Sequence, residues 1–343
     1  MAQENLKNWE YVSNHQFKNA LNRVNQSIPP IWFMRQAGRY HSHYQNLKKK
    51  YSFEKLCKTP ELAAEVACGP IQEFDYDIAI LFSDILFLLE GLGLELTFDP
   101  KPRFGSLINS KNFKDFSNID KAIEHMQFQS EAIKLTREKL ADNKSLIGFV
   151  GGPWTLLCYA FGKDQVNSID ANNQLEFLSN TVVPLLKKNI KLQLDAGAEV
   201  VMVLDSQLKD LNSKDFKDIY INFLNDIAST YPMKIGYYSK GKNETDLYNC
   251  FKIPFAGFGY DHSINLSNIF NNQNTGFVQG NFNEELMLLD TDIFLKKLKD
   301  YINHMKSIEN RNGWICGLGH GINKDTPEKN VHLFIENIRK EFC

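Results

Sequence analysis

The chain has 343 residues, 43% of them hydrophobic, with 25 Phe, 13 Tyr and 4 Trp, which is material for a sizeable core and excludes disorder as the main state. Its 39 Lys and Arg against 41 Asp and Glu leave a net charge of −2, without the basic excess expected of a nucleic-acid binder. The 6 cysteines show no C-x-x-C and no regular spacing, so they read as reduced thiols of a cytoplasmic chain, and Met1 to Phe17 is polar, without the apolar run of a secretory signal.

In chain order, short apolar runs alternate with longer stretches of helical period. The first run, Ile31–Met34, leads into Arg35, Gly38 and Arg39, and the triplet Lys48 to Lys50 behind it reads as a helix end. Ile78–Phe82 leads into Ser83 and Asp84. The apolar stretch from Ile78 to Leu96 contains Asp84, Glu90 and Glu95, three acids that a membrane span would not carry unpartnered. Leu146–Val150 is followed by Gly151, Gly152 and then Tyr159; Val200–Leu204 by Asp205 and Ser206; Ile235–Tyr238 by Lys240. Phe255–Phe258 precedes Asp261 and His262, Gly276–Gln279 precedes Asn281, and Trp314–Gly317 precedes His320. Helical stretches fill the gaps around Ala122–Leu140, Phe216–Ala228, Leu286–Met305 and Glu328–Phe342. Leu178, Val182, Leu186, Ile190 and Leu194 paint one apolar stripe that stops before Gly197.

Eight strand candidates joined by helical crossovers predict an α/β fold: a single (β/α)8 (TIM) barrel spanning 1–343, with a polar N-terminal extension at about 1–28 and an active-site cleft at the C-terminal ends of the strands. An open doubly wound sheet is the alternative that counting strands leaves open. In a barrel the polar groups after the strands converge on one rim.

Four segments are able to carry chemistry. Arg35-Gln-Ala-Gly-Arg39 sets two guanidinium forks about Gly38, suited to clamping carboxylates or phosphates; the bland alternative is a pair of rim salt bridges. Asp84 is a lone acid among apolar residues, where an unpaired buried carboxylate is expensive; it either pairs with Arg35 or Arg39 or faces a ligand offering N–H donors. Gly151-Gly152 opens a helix bearing Tyr159 like a phosphate cradle, but without the spacing of a P-loop or dinucleotide fingerprint. His320 stands between glycines after the last strand. His41-x-His43 lacks a third ligand at a recognisable spacing, so no metal site is expected.

Together, Trp32-Phe-Met-Arg-Gln-Ala-Gly-Arg39-Tyr40, Ala79-Ile-Leu-Phe-Ser-Asp-Ile-Leu86, Gly91-Leu-Gly93, Gly148-Phe-Val-Gly-Gly-Pro-Trp-Thr155, Gln279-Gly-Asn281 and Leu318-Gly-His-Gly321 resemble the uroporphyrinogen decarboxylase family. The resemblance implies a (β/α)8 barrel, a homodimer with facing clefts, and decarboxylation of the four acetate side chains of uroporphyrinogen III to give coproporphyrinogen III without a cofactor. It implies catalytic roles for Asp84, Arg35 and Tyr159. It implies a substrate contact set of Arg35, Gln36, Ala37, Gly38, Arg39, Phe53, Asp84, Tyr159, Ser206 and His320, in which the arginines grip carboxylates and Asp84 accepts from pyrrole N–H groups. The chain departs from the family pattern in places. Asp-Ser/Thr-Trp-Ala/Gly-Gly becomes Asp205-Ser-Gln-Leu-Lys209, Leu-Asp-Trp becomes Phe258-Gly-Tyr-Asp261, and Gln-Pro followed shortly by Arg becomes Gly69-Pro-Ile-Gln-Glu73. Leu-Asp-Pro becomes Phe282-Asn-Glu284. The alternatives are a zinc-dependent corrinoid or thiol methyltransferase of the same fold, whose His-x-Cys ligand pair does not occur here, and an inactive tetrapyrrole-binding homologue. Neither nucleic acid nor membrane is expected as a partner.

Overall fold

A computed structural model describes residues 9–98, 101–109, 111–163, 166 and 171–343. Its strands are β1 (Ile78–Ile80), β2 (Leu96–Phe98), β3 (Pro102–Phe104), β4 (Ser145–Gly151), β5 (Val201–Asp205), β6 (Ile235–Ser239), β7 (Gly257–Gly259), β8 (Phe277–Phe282) and β9 (Trp314–Leu318). Among the described residues, 7 of them form one parallel sheet in the order β1-β4-β5-β6-β7-β8-β9, while β2 and β3 form a separate antiparallel hairpin. Helices cross between successive sheet strands, so every strand of the sheet points its C-terminal end to the same edge.

The strands are apolar on both faces because each face is buried against a different core. Ile78, Ile80, Ile147, Met202, Tyr238, Phe277 and Ile315 belong to one cluster, together with Trp32, Phe17 and Leu21. Their strand neighbours Ala79, Leu146, Val201, Val203, Tyr237, Val278 and Cys316 belong to the larger cluster beneath the helices. Ile78 of β1 and Ile315 of β9 line one residual void of about 10 Å³ with Phe17 and Trp32. Those two strands stand at opposite ends of the sheet order, and only a curled sheet brings them to one void.

The helices follow their sequence signals. The stripe beginning at Leu178 runs through a π-helical turn, Leu178–Val182, into the helix Val183–Asp195, and Gly197 takes φ +112°, the left-handed conformation that ends it. Glu328–Phe342 buries Val331, Phe334, Ile335, Ile338 and Phe342 on one face. The lysine triplet sits at the C-terminal end of Ser42–Lys48. No helix among the described residues is long and apolar enough to cross a membrane; of the acids in the apolar stretch, Glu90 pairs with Lys58 at 2.6 Å and His125 at 2.9 Å.

Two expectations differ from the observed elements. Ile31–Met34 is not a regular strand: its one bridge is Ile31 to Cys316. On the β9 side the pairing is backbone, with Trp32 N donating to Cys316 O at 3.1 Å. On the β1 side Asp77 N donates to Ile31 O at 3.1 Å, but the segment's own donors go to side chains. Ile31 N donates to Asp77 Oδ2 at 2.8 Å and Phe33 N to Gln36 Oε1 at 3.2 Å, while Gln36 Nε2 donates to Ile78 O at 2.8 Å. Trp32 and Met34 still face the inner cluster and Ile31 and Phe33 the outer one. The β2–β3 hairpin was not anticipated, although Leu94, Leu96 and Phe98 alternate as a strand should.

The polar-looking N-terminal stretch also buries more than its composition suggests. Asn14 caps the helix His15–Leu21 by accepting from Phe17 N at 2.9 Å and ties it to β4 through Ser145 Oγ at 3.0 Å. Trp9, Val12, Phe17, Ala20 and Leu21 are buried there.

Candidate active site

At the C-terminal edge of the sheet the loop after Met34 turns sharply. Arg35 takes φ +63°, a left-handed conformation unusual for a residue with a side chain. Three bonds hold the turn: Gln36 N to Phe33 O at 3.1 Å, Tyr40 Oη to Gln36 O at 2.7 Å, and His41 N to Gly38 O at 3.0 Å. Gly38 is needed there because a Cβ would stand 2.9 Å from Arg35 O. Gly321 is needed opposite, because its Cβ would overlap the Arg35 side chain. Arg35 and Arg39 are exposed, and neither has an ion-pair partner among the described residues, so the rim salt-bridge alternative is not what forms. Gln36 differs: it is fully buried and its side chain is spent on Phe33 and Ile78. Ala37 is half-buried and packs on the core.

Asp84 lies after β1, half-buried, with Oδ1 accepting from Leu86 N at 2.9 Å. It makes no salt bridge with either arginine. Burial pushes its carboxyl up to about 6, against the lowering effects of the Leu86 hydrogen bond and of the Arg35 charge. Ser83 beside it is fixed from behind, accepting from Gln129 Nε2 at 2.9 Å; Gln129 Oε1 in turn accepts from Asn189 and Gln193 at 3.1 Å. That buried amide relay was not anticipated, and its members are too far apart in sequence to be recognised as a set. Phe53 starts the helix Phe53–Lys58 and brings its ring 6.0 Å from Phe82 and 4.9 Å from Phe98 of the hairpin.

His320, after β9, stacks on Tyr238 with ring centroids 5.9 Å apart, and its Nδ1 is 3.0 Å from the Tyr238 hydroxyl. That hydroxyl also lies 3.0 Å from Gly319 O, an atom that can only accept. The pattern assigns the Tyr238 proton to Gly319 and the imidazole proton to Nδ1, leaving the Nε2 lone pair free. Burial first, then the positive charges of Lys240 and Arg35, push the imidazole down to about 3, so it stays neutral. The sequence marks Tyr238 as a strand residue only.

Tyr159 and Ser206 reach the same edge from β4 and β5. Tyr159 is half-buried on the helix Pro153–Phe161, with Lys163 Nζ 4.7 Å from its ring centroid. The Gly151-Gly152 turn holds no vacant phosphate cradle, because a protein carboxylate already occupies the helix start. Asp205 Oδ1 accepts from Thr155 N at 3.0 Å and Thr155 Oγ1 at 2.7 Å, and Oδ2 accepts from Tyr220. Asp205 is fully buried and burial raises its carboxyl, against those hydrogen bonds. Its neighbour Ser206 remains half-buried, 3.3 Å from Gln207 Nε2. Asp261 and Asn281 are likewise structural: Asp261 Oδ2 accepts from Gly241 N at 3.2 Å, and Asn281 Nδ2 donates to Asp261 O at 2.9 Å and Ile264 O at 2.7 Å. His41 and His43 lie against Gly69 in a helix. Among the described residues no three His, Cys, Asp or Glu side chains converge as a metal set.

The Arg35 charge acts on both Asp84 and His320, and the Lys240 charge on His320, while Tyr159 and Ser206 stand at the same edge of the sheet. That edge presents cations, one partly solvated carboxyl and a neutral imidazole to an anionic ligand. The model of the family described as uroporphyrinogen decarboxylase (URO-D) matches residues 12–341. A uroporphyrinogen decarboxylase of Orientia tsutsugamushi (strain Ikeda) is 35% identical over 338 residues, covering 93% of this chain and 96% of that protein. One from Christiangramia forsetii is 30% identical, covering 96% and 99%. Among solved structures, a methyltransferase from Methanosarcina mazei superposes with a TM-score of 0.80 at 17% identity, covering 97% of this chain and 100% of that one, a likeness of fold.

Proposed function

Because this chain belongs to the uroporphyrinogen decarboxylase family, we propose that it removes CO₂ from the four acetate side chains of uroporphyrinogen III, giving coproporphyrinogen III in tetrapyrrole biosynthesis. The observation that carries the reading is that Arg35 and Arg39, neither of them ion-paired among the described residues, and Asp84 stand at one edge of the sheet. Loss of CO₂ from a carbon attached to a pyrrole needs an electron sink. Protonation of the adjacent ring carbon makes one, a cation delocalised onto the ring nitrogen; CO₂ leaves, a proton converts the resulting exocyclic methylene to a methyl, and the ring carbon gives its added proton back. Asp84, accepting from pyrrole N–H groups, opposes that charge as it develops, and a preorganised partner acts most strongly on such a charge. Arg35 and Arg39 bind carboxylates that the reaction leaves in place, with the Gln36–Gly38 backbone beside them, and Phe53 lines the wall. Tyr159, Ser206 and the free Nε2 of His320 contact the macrocycle. The substrate supplies its own sink, so the mechanism calls for neither metal nor organic cofactor.

The same reading closes the sheet. Ile31–Met34 serves as the eighth stave of a (β/α)8 barrel, supported by its bonds to both β9 and Asp77 beside β1, and residues 1–343 form one domain whose N-terminal stretch plugs the far end. A cytoplasmic homodimer completes the proposal. Anaerobic incubation with uroporphyrinogen III, followed by oxidation and separation of the porphyrins by carboxyl count, tests it. Stepwise conversion to the tetracarboxylate without added metal is expected. An octacarboxylate recovered unchanged, or activity lost to a chelator and restored by zinc, overturns it.

A further inference from the structure

Tyr238 reaches from β6 to the loop after β9. Its ring is buried in the inner cluster, and Gly259 of β7 leaves it room, since a Cβ there would stand 3.2 Å from Tyr238 Cδ2. Its hydroxyl lies 3.0 Å from Gly319 O and 3.0 Å from His320 Nδ1. The loop that carries both partners is fixed. Gly319 N donates to Phe282 O at 2.8 Å, and Ile322 N to Met34 O at 3.0 Å. A Cβ on Gly319 would overlap the His262 backbone, and His262 Nδ1 in turn lies 3.2 Å from Oε2 of the buried Glu284.

A phenol has one proton to give. Gly319 O can only accept, so that proton goes to the carbonyl, and His320 Nδ1 donates to the phenol oxygen. Stacking of the two rings, 12° from parallel, holds the imidazole plane. Nε2 is then the bare nitrogen. It has no hydrogen-bond partner among the described residues, and it is not one of the buried polar atoms that go unpaired, so it opens on solvent. The next residue, Gly321, lies against the Arg35 side chain, which sets this opening beside the arginine.

We propose that Tyr238 is a positioning residue that fixes His320 as a hydrogen-bond acceptor, and that His320 Nε2 takes a pyrrole N–H of the substrate instead of gripping a carboxylate. This rests on the decarboxylase reading. Carboxyl side chains with an ordinary pKa of about 4 are ionised at neutral pH and can only accept. Two acceptors make no bond, so the pyrrole N–H groups are the donors that such a macrocycle offers. As the ring takes on positive charge its N–H becomes a stronger donor, and the bond tightens toward the transition state. Burial, then the Lys240 and Arg35 charges, push the imidazole down to about 3, so it accepts without taking the proton. It also adds no negative charge that would repel the carboxylates.

The test observes the imidazole directly. Full-length protein with isotope-labelled histidine is studied by two-bond proton–nitrogen correlation spectra, with His320 assigned from its loss in His320→Gln. The ligand is anaerobic coproporphyrinogen III, which keeps every pyrrole N–H and has no acetate to lose. In the free wild type, Nδ1 should carry the proton and Nε2 should be bare. In ligand-saturated protein, Nε2 should shift as a nitrogen accepting a hydrogen bond does, with the proton still on Nδ1. Tyr238→Phe should populate the Nε2–H form and lower kcat about five- to tenfold, with KM changed less than about twofold. A bare Nδ1 in the free wild type overturns the proposal, whether or not Tyr238→Phe folds. So does a folded Tyr238→Phe protein that keeps the wild-type tautomer or the wild-type kcat. An Nε2 that becomes protonated in saturated protein, or stays unmoved, overturns the pyrrole contact. If uroporphyrinogen III is not converted at all, the decarboxylase reading falls, and the hold of Tyr238 on the tautomer is still judged from the free-protein spectra.

Discussion

The two ends of the curled sheet are built on opposite principles. At the N-terminal end, Phe17, Trp32, Ile78, Ile147, Met202, Phe277 and Ile315 converge on a void of only about 10 Å³, with Phe17 delivered by a helix capped through Asn14. At the C-terminal edge the features are costly ones: a left-handed arginine, a carboxyl raised to about 6 and an imidazole lowered to about 3. One end lowers free energy by packing and the other holds groups away from their relaxed states. The difference teaches where a substitution should be felt: in stability at the first end, in turnover or affinity at the second.

The largest effect expected from that division is at the packed end. Phe17→Ala removes a ring that is 2% exposed and leaves a cavity the strands cannot collapse into, at a cost of about 3–5 kcal/mol. Chemical denaturation should show that loss, while KM and kcat measured well below the melting temperature stay near wild type. A specific loss of kcat in a still-folded Phe17→Ala protein would break the division.

Asp84→Asn is the counterpart at the edge. Removing one preorganised electrostatic partner typically costs about 10²–10³ in kcat, with affinity largely kept. Stability should move the other way. Burial raises the folded-state pKa from 3.8 to about 6, so the folded chain holds this proton more tightly than the unfolded one. The stability it contributes is present below the unfolded value and lost as pH rises through about 6. Asn never carries the charge and can still accept from Leu86. Asp84→Asn should therefore melt higher than wild type at neutral pH, with the gain shrinking in acid. Near-wild-type turnover in this variant would remove the central residue of the mechanism.

Much of this division was legible in the residues themselves. Strands buried on both faces must be apolar throughout, so the seven sheet strands announced themselves, and the polar groups after them marked the edge. What stayed hidden depends on partners distant in sequence. Ile31–Met34 reads as a strand because it is a short apolar run, but its donors on the β1 side go to Asp77 and Gln36. Asp205 and Ser206 are adjacent and equally polar, yet Tyr220, Tyr237 and Thr155 bury one and leave the other accessible. Gln36 enters the contact set implied by the resemblance through its backbone, and only the structure shows its side chain stitching the turn to β1. The His262–Glu284 pair has no local signal at all.

The smallest expected effect isolates strain from charge at Arg35. Arg35→Ala and Arg35→Gly both delete the guanidinium, so both should raise KM by the loss of a charge-assisted contact, about 1.5–3 kcal/mol. They differ in the backbone. At φ +63° an alanine keeps the left-handed penalty, whereas glycine adopts that conformation without a Cβ clash. Glycine's greater freedom in the unfolded chain offsets part of the relief, leaving Arg35→Gly more stable than Arg35→Ala by about 0.5–1 kcal/mol. Paired denaturation curves would read the difference directly. If the alanine variant equals or exceeds the glycine one, the turn is not strained and its geometry comes without cost. If the glycine variant is the more stable while both share the same KM, then the strain and the binding charge sit in one residue and are separable, and the chain keeps an unfavourable backbone so that this side chain lies against Gly321 and within the field of Asp84 and His320.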